Sequence, residues 1–256
     1  SGVISGGNAA NTVLVKDTDT ASTLTVTGVN TFAGKTSVSA GVLAINADSS
    51  LGAAPGGVTA TSLTLDGGTL EAKADITLDA NRGITLGTSG GTVLVDAGKT
   101  LTYGGVMTGG ALTKTGAGTL DLTGVNTYTG NTSISAGTLQ VGGAGSLGTG
   151  AYAGAIALST TQGDNAKLEY SSSAAQTLSG VISGGNAANT VLVKDTGTGS
   201  TLTLSGTNTF VGNTSINAGT LQVGGAGSLG SGTYAGAIAL STTQGDNAKL
   251  EYSSSA

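Results

Sequence analysis

The chain has 256 residues, of which 47 are Gly, 14 are Asp or Glu and 9 are Lys or Arg, for a net charge of −5. This balance, with no Lys/Arg cluster to displace counterions from phosphates, excludes a nucleic-acid partner. Cys and His are absent, which removes disulfides, thiol chemistry and the commonest metal ligands.

Apolar residues make up 38% of the chain and alternate with polar ones, so a thin core of Leu, Val, Ile and Ala is available. No apolar run approaches the roughly 18 residues of a membrane-spanning helix. Thr23-Leu24-Thr25-Val26-Thr27 is the first clear period-two segment, with Leu24 and Val26 on one face. Ser62–Asp66, Thr119–Thr123, Gly137–Val141 and Thr201–Ser205 follow the same rule. Alternation over four to six residues rich in Thr, Val and Ile predicts half-buried strands. Between them lie Gly, Asn, Asp and Ser clusters such as Gly142–Ser146, which suit tight corners. No segment has helical periodicity with caps.

The chain repeats itself. Asn126–Val141 returns as Asn208–Val223, every number raised by 82 (208 − 126). A looser copy at Asn30–Leu43 lies upstream by 96 (126 − 30). Val141–Ala174 and Val223–Ala256 differ only at Thr149/Ser231 and Ala151/Thr233. The opening Ser1–Asn8 recurs as Ser179–Asn186, so both ends fall inside a repeat. The expectation is one repeat-built segment over 1–256, a slice of a longer protein. Related copies lie at 1–52, 110–178 and 179–256, around a divergent spacer at 53–109.

Near-identical units of this kind point to stacked coils, and hence to an all-β parallel β-helix. With roughly 20–22 residues per coil, the shift of 82 is about four coils and the whole chain about twelve, or ~55 Å of rod at ~4.8 Å per coil. The longer interval of 96 is then not a whole number of coils, which predicts one bulged coil between Gly52 and Gly109.

The string Leu112-Thr113-Lys114-Thr115-Gly116-Ala117-Gly118-Thr119-Leu120-Asp121-Leu122-Thr123-Gly124-Val125-Asn126-Thr127-Tyr128-Thr129-Gly130 resembles the passenger-associated transport repeat of bacterial autotransporters. The stretch from Gly67 to Leu101 is similar to the segment that leads into such repeats. Two copies depart from the pattern: eight positions separate Lys16 from Leu24 and Lys194 from Leu202, against six from Lys114 to Leu120. A wider turn is expected there. The resemblance implies a right-handed parallel β-helix exported across the outer membrane of a Gram-negative cell. It implies a surface-displayed, adhesin-like stalk.

Candidate chemistry is sparse. Acid/base catalysis needs paired carboxylates in a cleft, but Asp66, Glu71, Asp75, Asp79, Asp96 and Asp121 are scattered. Glu169 and Glu251 recur with the repeat beside Lys167 and Lys249, as structural pairs would. Gly163-Asp164-Asn165 and its copy at 245–247 suit turns, since calcium rolls carry Asp in every short turn. Thr-x-Thr strands occur at no constant interval, against an ice-binding ladder. Asn30, Asn126 and Asn208 are expected at coil corners, bonding backbone groups, with Phe32, Tyr128 and Phe210 in the core. Asn131-Thr132-Ser133 and Asn213-Thr214-Ser215 match a glycosylation acceptor. No catalytic, cofactor-binding or metal-binding residue is assigned, and no cofactor is expected. The partners expected are neighbouring repeats of the same chain, end-to-end or lateral self-association, and a receptor on a host cell, surface or matrix. The alternative readings are a self-assembling filament subunit and a polysaccharide-degrading enzyme on the same fold.

Overall fold

A computed structural model describes residues 2–195, 199–231 and 233–255. Every strand pairing in it is parallel, and non-consecutive strands lie side by side. The chain is therefore wound as a solenoid. The described residues contain no helix beyond short 3-10 turns at Asp48–Leu51, Gly148–Gly150 and Gln162–Asp164.

The winding has three faces. Face I begins with Thr12–Lys16, Lys35–Val38, Thr59–Leu65, Arg82–Leu86 and Met107–Gly109. Face II runs over eight strands from Thr23–Val26 to Ile182–Gly184, and face III over eight from Ile76–Leu78 to Ile238–Leu240. The chain visits I, II and III in turn. Residues 127–129 then lie over the last strand of face I, donating to the carbonyls of Met107 and Gly109. The second five-stranded sheet, Ala151–Tyr152 to Lys249–Ser254, follows face III and precedes face II, so it carries face I onward.

Inward residues form columns. On face III the column is Leu78, Tyr103, Leu122, Val141, Tyr170, Lys194, Ile216 and Leu240. All but the last are buried, and outward Thr, Gln and Glu alternate with them. A one-residue slip would turn the whole apolar set to solvent, so the alternation fixes the register.

Coil length varies along this column. The step from Tyr103 to Leu122 is 19 (122 − 103), and that from Val141 to Tyr170 is 29 (170 − 141). The solenoid has about ten turns rather than twelve. The uniform coil expected from the sequence is too short, because corners such as 142–150 and 159–166 carry extra turns.

The repeat does not fill a whole number of coils. Thr119–Leu122 lies on face III and its copy Thr201–Leu204 on the continued face I, three turns and one face further on. Thr23–Val26, the first copy, lies on face II, four turns and one face before Thr119–Leu122. The longer interval between the first two copies contains one complete extra coil, and it also holds the expected bulge, where Thr59–Leu65 slips register against Arg82–Leu86 between Thr59 and Leu63. Each copy of the motif is turned by one face from the last.

Candidate functional site

Three residue types recur with the motif and each ties coils together. Asn126 is fully buried. Its Oδ1 accepts from the Met107 N–H of the coil before, at 3.1 Å, and its Nδ2 donates to Gly124 O at 2.8 Å and to Ser146 O of the coil after at 3.3 Å. Asn208 does the same with Ile182 N–H, Gly206 O and Ser228 O, and Asn30 with Ile4 N–H, Gly28 O and Ser50 O. This is the corner role expected of these residues. The aromatic two positions on, Phe32, Tyr128 or Phe210, is buried beside it.

The motif lysine is a second tie. Lys114 is buried without a carboxylate, and its Nζ donates to Thr115 O and Gly116 O at 2.7 Å and to Ala136 O at 3.2 Å. Gly116 (φ 73°) has no room for a side chain, since a Cβ would meet Val95 O at 2.3 Å. Burial lowers the Lys114 pKa to about 8 and lowers that of Lys194. Lys194 donates to Ala218 O at 3.2 Å and lies 5.8 Å from the Tyr170 ring centre. Lys16 caps its wider turn by donating to Thr18 O, and Asp19 (φ 54°) bends that turn. The matching turn after Lys194 falls partly at residues 196–198, outside the described residues.

The third tie is aromatic. Tyr128 and Tyr152 meet edge to face at 5.5 Å between ring centres, and Thr132 Oγ1 bridges their hydroxyls at 3.0 and 2.8 Å. Phe210 and Tyr234 repeat the contact at 5.5 Å, with Thr214 on the Tyr234 hydroxyl at 2.7 Å.

One cluster carries no repeat signal. Arg82 is buried, grips Asp48 through Nε (2.8 Å) and Nη2 (3.1 Å), and donates to Leu51 O and Gly52 O at 3.0 and 2.7 Å. Asp48 and Arg82 are far apart in sequence, and only the winding brings them together.

The scattered carboxylates have local tasks. Asp66 Oδ1 accepts from Ser89 N–H, Asp75 Oδ1 from Thr100 N–H and Asp79 Oδ1 from Asn81 N–H. Glu71 and Asp96 share Lys73 at 2.8 and 3.6 Å. Lys167–Glu169 and Lys249–Glu251 pair at 2.7 Å, as expected. Asp164 takes the Ser159 hydroxyl and Asn165 is left-handed, the turn reading of Gly-Asp-Asn. Asp121 differs: its Oδ1 is buried with no hydrogen-bond partner, and burial, then Glu169, raises its pKa.

Outward Thr columns are short. Thr100, Thr119 and Thr138 are in register, and Lys167 ends the run. Asn131 and Asn213 of the acceptor motifs take the N–H of Ala155 and Ala237.

Three clefts recur with the motif. One of 210 Å³ lies between Thr127–Thr129 and Gly148–Ala153. Its equivalent, of 160 Å³, is lined by Thr209–Val211, Gly230 and Thr233–Ala235. In the first copy a cleft of 190 Å³ lies beside Ala33, Ala53 and Pro55. Their linings are small and mostly uncharged, and they face three different directions.

The passenger-associated-transport-repeat family matches residues 21–45, 112–141 and 195–223. These are the segments that occupy successive faces. The chain is also similar to the Adhesin BmaC autotransporter of Brucella suis biovar 1 (strain 1330), 43% identical over 97 residues. Over these segments the chain is similar to the passengers of autotransporters. The similarity covers 38% of the chain and 3% of that adhesin, so the chain spans only a small part of the length of its relative. No solved structure matches.

The matched repeat holds the Asn clamp and the alternating strands. Lys114 falls inside its match, whereas Lys16 and Lys194 precede theirs. The extra residues after Lys16 and Lys194 explain this, because they break the spacing between lysine and strand without moving the lysine from its corner.

Proposed function

We propose that this chain is a non-enzymatic stalk of a surface-exposed adhesin. It sets length and holds a receptor-binding region away from the cell. What carries the reading is the interchangeability of the copies: each repeats the same Asn clamp and core, turned by one face. Apart from Asp121, the carboxylates described above are committed to turns and ion pairs rather than converging on a cleft. About ten coils at ~4.8 Å make a rod of roughly 48 Å. The relative's name, adhesin autotransporter, supports adhesion as the purpose of the whole protein. It also supports export across the outer membrane.

Folding suits export. Each coil presents strand edges on which the next can pair, so the chain adds coils in order as it emerges. The test is binding by the purified chain to layers of host cells. A stalk gives no saturable binding, while the whole passenger binds. Saturable binding by the chain alone would place the receptor contact here.

A further inference from the structure

Of the 14 Asn in the chain, only Asn131 and Asn213 are followed two positions on by Ser or Thr, as Asn131-Thr132-Ser133 and Asn213-Thr214-Ser215. This is the pattern of an acceptor for sugar transfer to the Asn side chain. The buried clamp residues Asn30, Asn126 and Asn208 have Phe32, Tyr128 and Phe210 two positions on instead. The pattern is thus absent where a sugar would not fit.

The fold presents both halves of the Asn131 pattern to solvent together. Asn131 is exposed, Thr132 buried and Ser133 half-buried, the alternation of an extended strand. Thr132 is held inward by the Tyr128 and Tyr152 hydroxyls at 3.0 and 2.8 Å, which turns Asn131 and Ser133 out on one side. Asn131 Oδ1 accepts from the Ala155 N–H at 3.0 Å, which orients the carboxamide and leaves Nδ2 without a partner among the described residues. Ser133 opens on a groove of 330 Å³ shared with Ser135, Ala157, Ser159, Thr160 and Asp164. Its hydroxyls and single carboxylate are the partners that the hydroxyls of a sugar need.

The other copies bracket this site. Asn213 repeats the arrangement on the next face, with Oδ1 on the Ala237 N–H at 2.9 Å, but there the Ser215 hydroxyl is taken by Asn217 Oδ1 at 2.7 Å. In the first copy Lys35-Thr36-Ser37 stands in the same place and forms the same strand, so the fold itself does not require Asn at this corner.

We infer that Asn131 is a glycosylation site, with Asn213 a lesser one. A transferase joins Nδ2 to the anomeric carbon of a hexose activated as its nucleoside diphosphate. The bond from that carbon to the diphosphate oxygen breaks, the diphosphate leaves with the electron pair, and the amide proton passes to a base of the transferase. The sugars stand out from two faces of a chain with only 9% charged residues, adding hydration that charge does not supply. Modification at this corner goes beyond the stalk role and does not require it.

Peptide mass spectrometry of the full-length protein, purified from the cells that make it, tests the site. The tryptic peptide 115–167 should carry hexose, placed on Asn131 by fragmentation and at higher occupancy than on Asn213. Ser133→Ala keeps Asn131 and its bond to Ala155 but should abolish the modification there, while Ser133→Thr should retain it. Circular dichroism checks that both variants fold. A native protein with Asn131 bare, or less occupied than Asn213, would overturn the proposal. So would sugar on this peptide that survives Ser133→Ala, since it would then be attached without the acceptor pattern.

Discussion

Leu122 and Leu204 hold the same place in successive copies of the repeat and both are fully buried, yet they lie on different faces of the solenoid. The sequence around them therefore tolerates any of the three faces. What the motif specifies is a strand, a corner and a clamp, and not an absolute direction. A stalk built this way shows equivalent surfaces in three directions along its length.

Leu120 and Leu202 are buried in the same strands. Leu120→Asp or Leu202→Asp would bury an unpaired charge, which costs several kcal/mol or forces local opening. Limited proteolysis should cut within the altered coil and its neighbours first. Unchanged protease resistance would show that these positions are not core.

Asn126→Ala leaves the Met107 N–H and the carbonyls of Gly124 and Ser146 without their partner. The expected loss is about 1–3 kcal/mol in chemical denaturation. Asn126→Asp should fare no better near neutral pH, since a carboxylate cannot donate to the two carbonyls. A neutral effect of both changes would mean that the clamp is dispensable.

Burial lowers the Lys114 pKa to about 8 from 10.5. Below about pH 8 both folded and unfolded chains hold the proton, and the penalty on the folded state is complete. Between about 8 and 10.5 only the unfolded chain keeps it fully, so stability should rise with pH, by roughly 3 kcal/mol at most. The buried hydroxyls of Tyr103, Tyr128, Tyr152 and Tyr170 are pushed up, so stability should fall again above about pH 10. Urea midpoints across pH 7–11 read both limbs, and Lys114→Met should flatten the rising one.

Asp121 has a natural alternative in its own chain. Its equivalent is Thr203, whose hydroxyl donates to Gln222 at 3.1 Å, whereas Asp121 Oδ1 has no partner. Asp121→Thr should stabilise by about 1 kcal/mol near neutral pH. Because the Asp121 pKa is raised, its protonated form is favoured on folding. The gain should shrink as pH falls below the ordinary carboxylate range, and thermal melts at pH 7 and pH 3 read the difference. An equal gain at both would show that charge is not the cause.

Much of this was legible in the sequence because it repeats. Alternation gave the strands, and recurrence marked Asn30, Asn126 and Asn208 as corner residues and Phe32, Tyr128 and Phe210 as core. Coil count was not legible, because corner length carries no periodic signal and the repeat unit divides as easily into four short coils as into three and a third long ones. The one-face turn of each copy was hidden for the same reason. Arg82 and Asp48 were missed because neither recurs. The burial of Lys114 was missed because a lysine in a polar-looking corner reads as solvated until its three carbonyl partners are seen around it.

The copies are interchangeable units of length, each turning the chain by one face. Deleting Asp121–Leu202 removes one full repeat, joins Leu120 to Thr203 and restores the strand Thr-Leu-Thr-Leu. Solution X-ray scattering should show a folded rod of unchanged cross-section, shorter by three and a third coils, about 16 Å at ~4.8 Å each. An unfolded chain, or one of unchanged maximum dimension, would contradict the account.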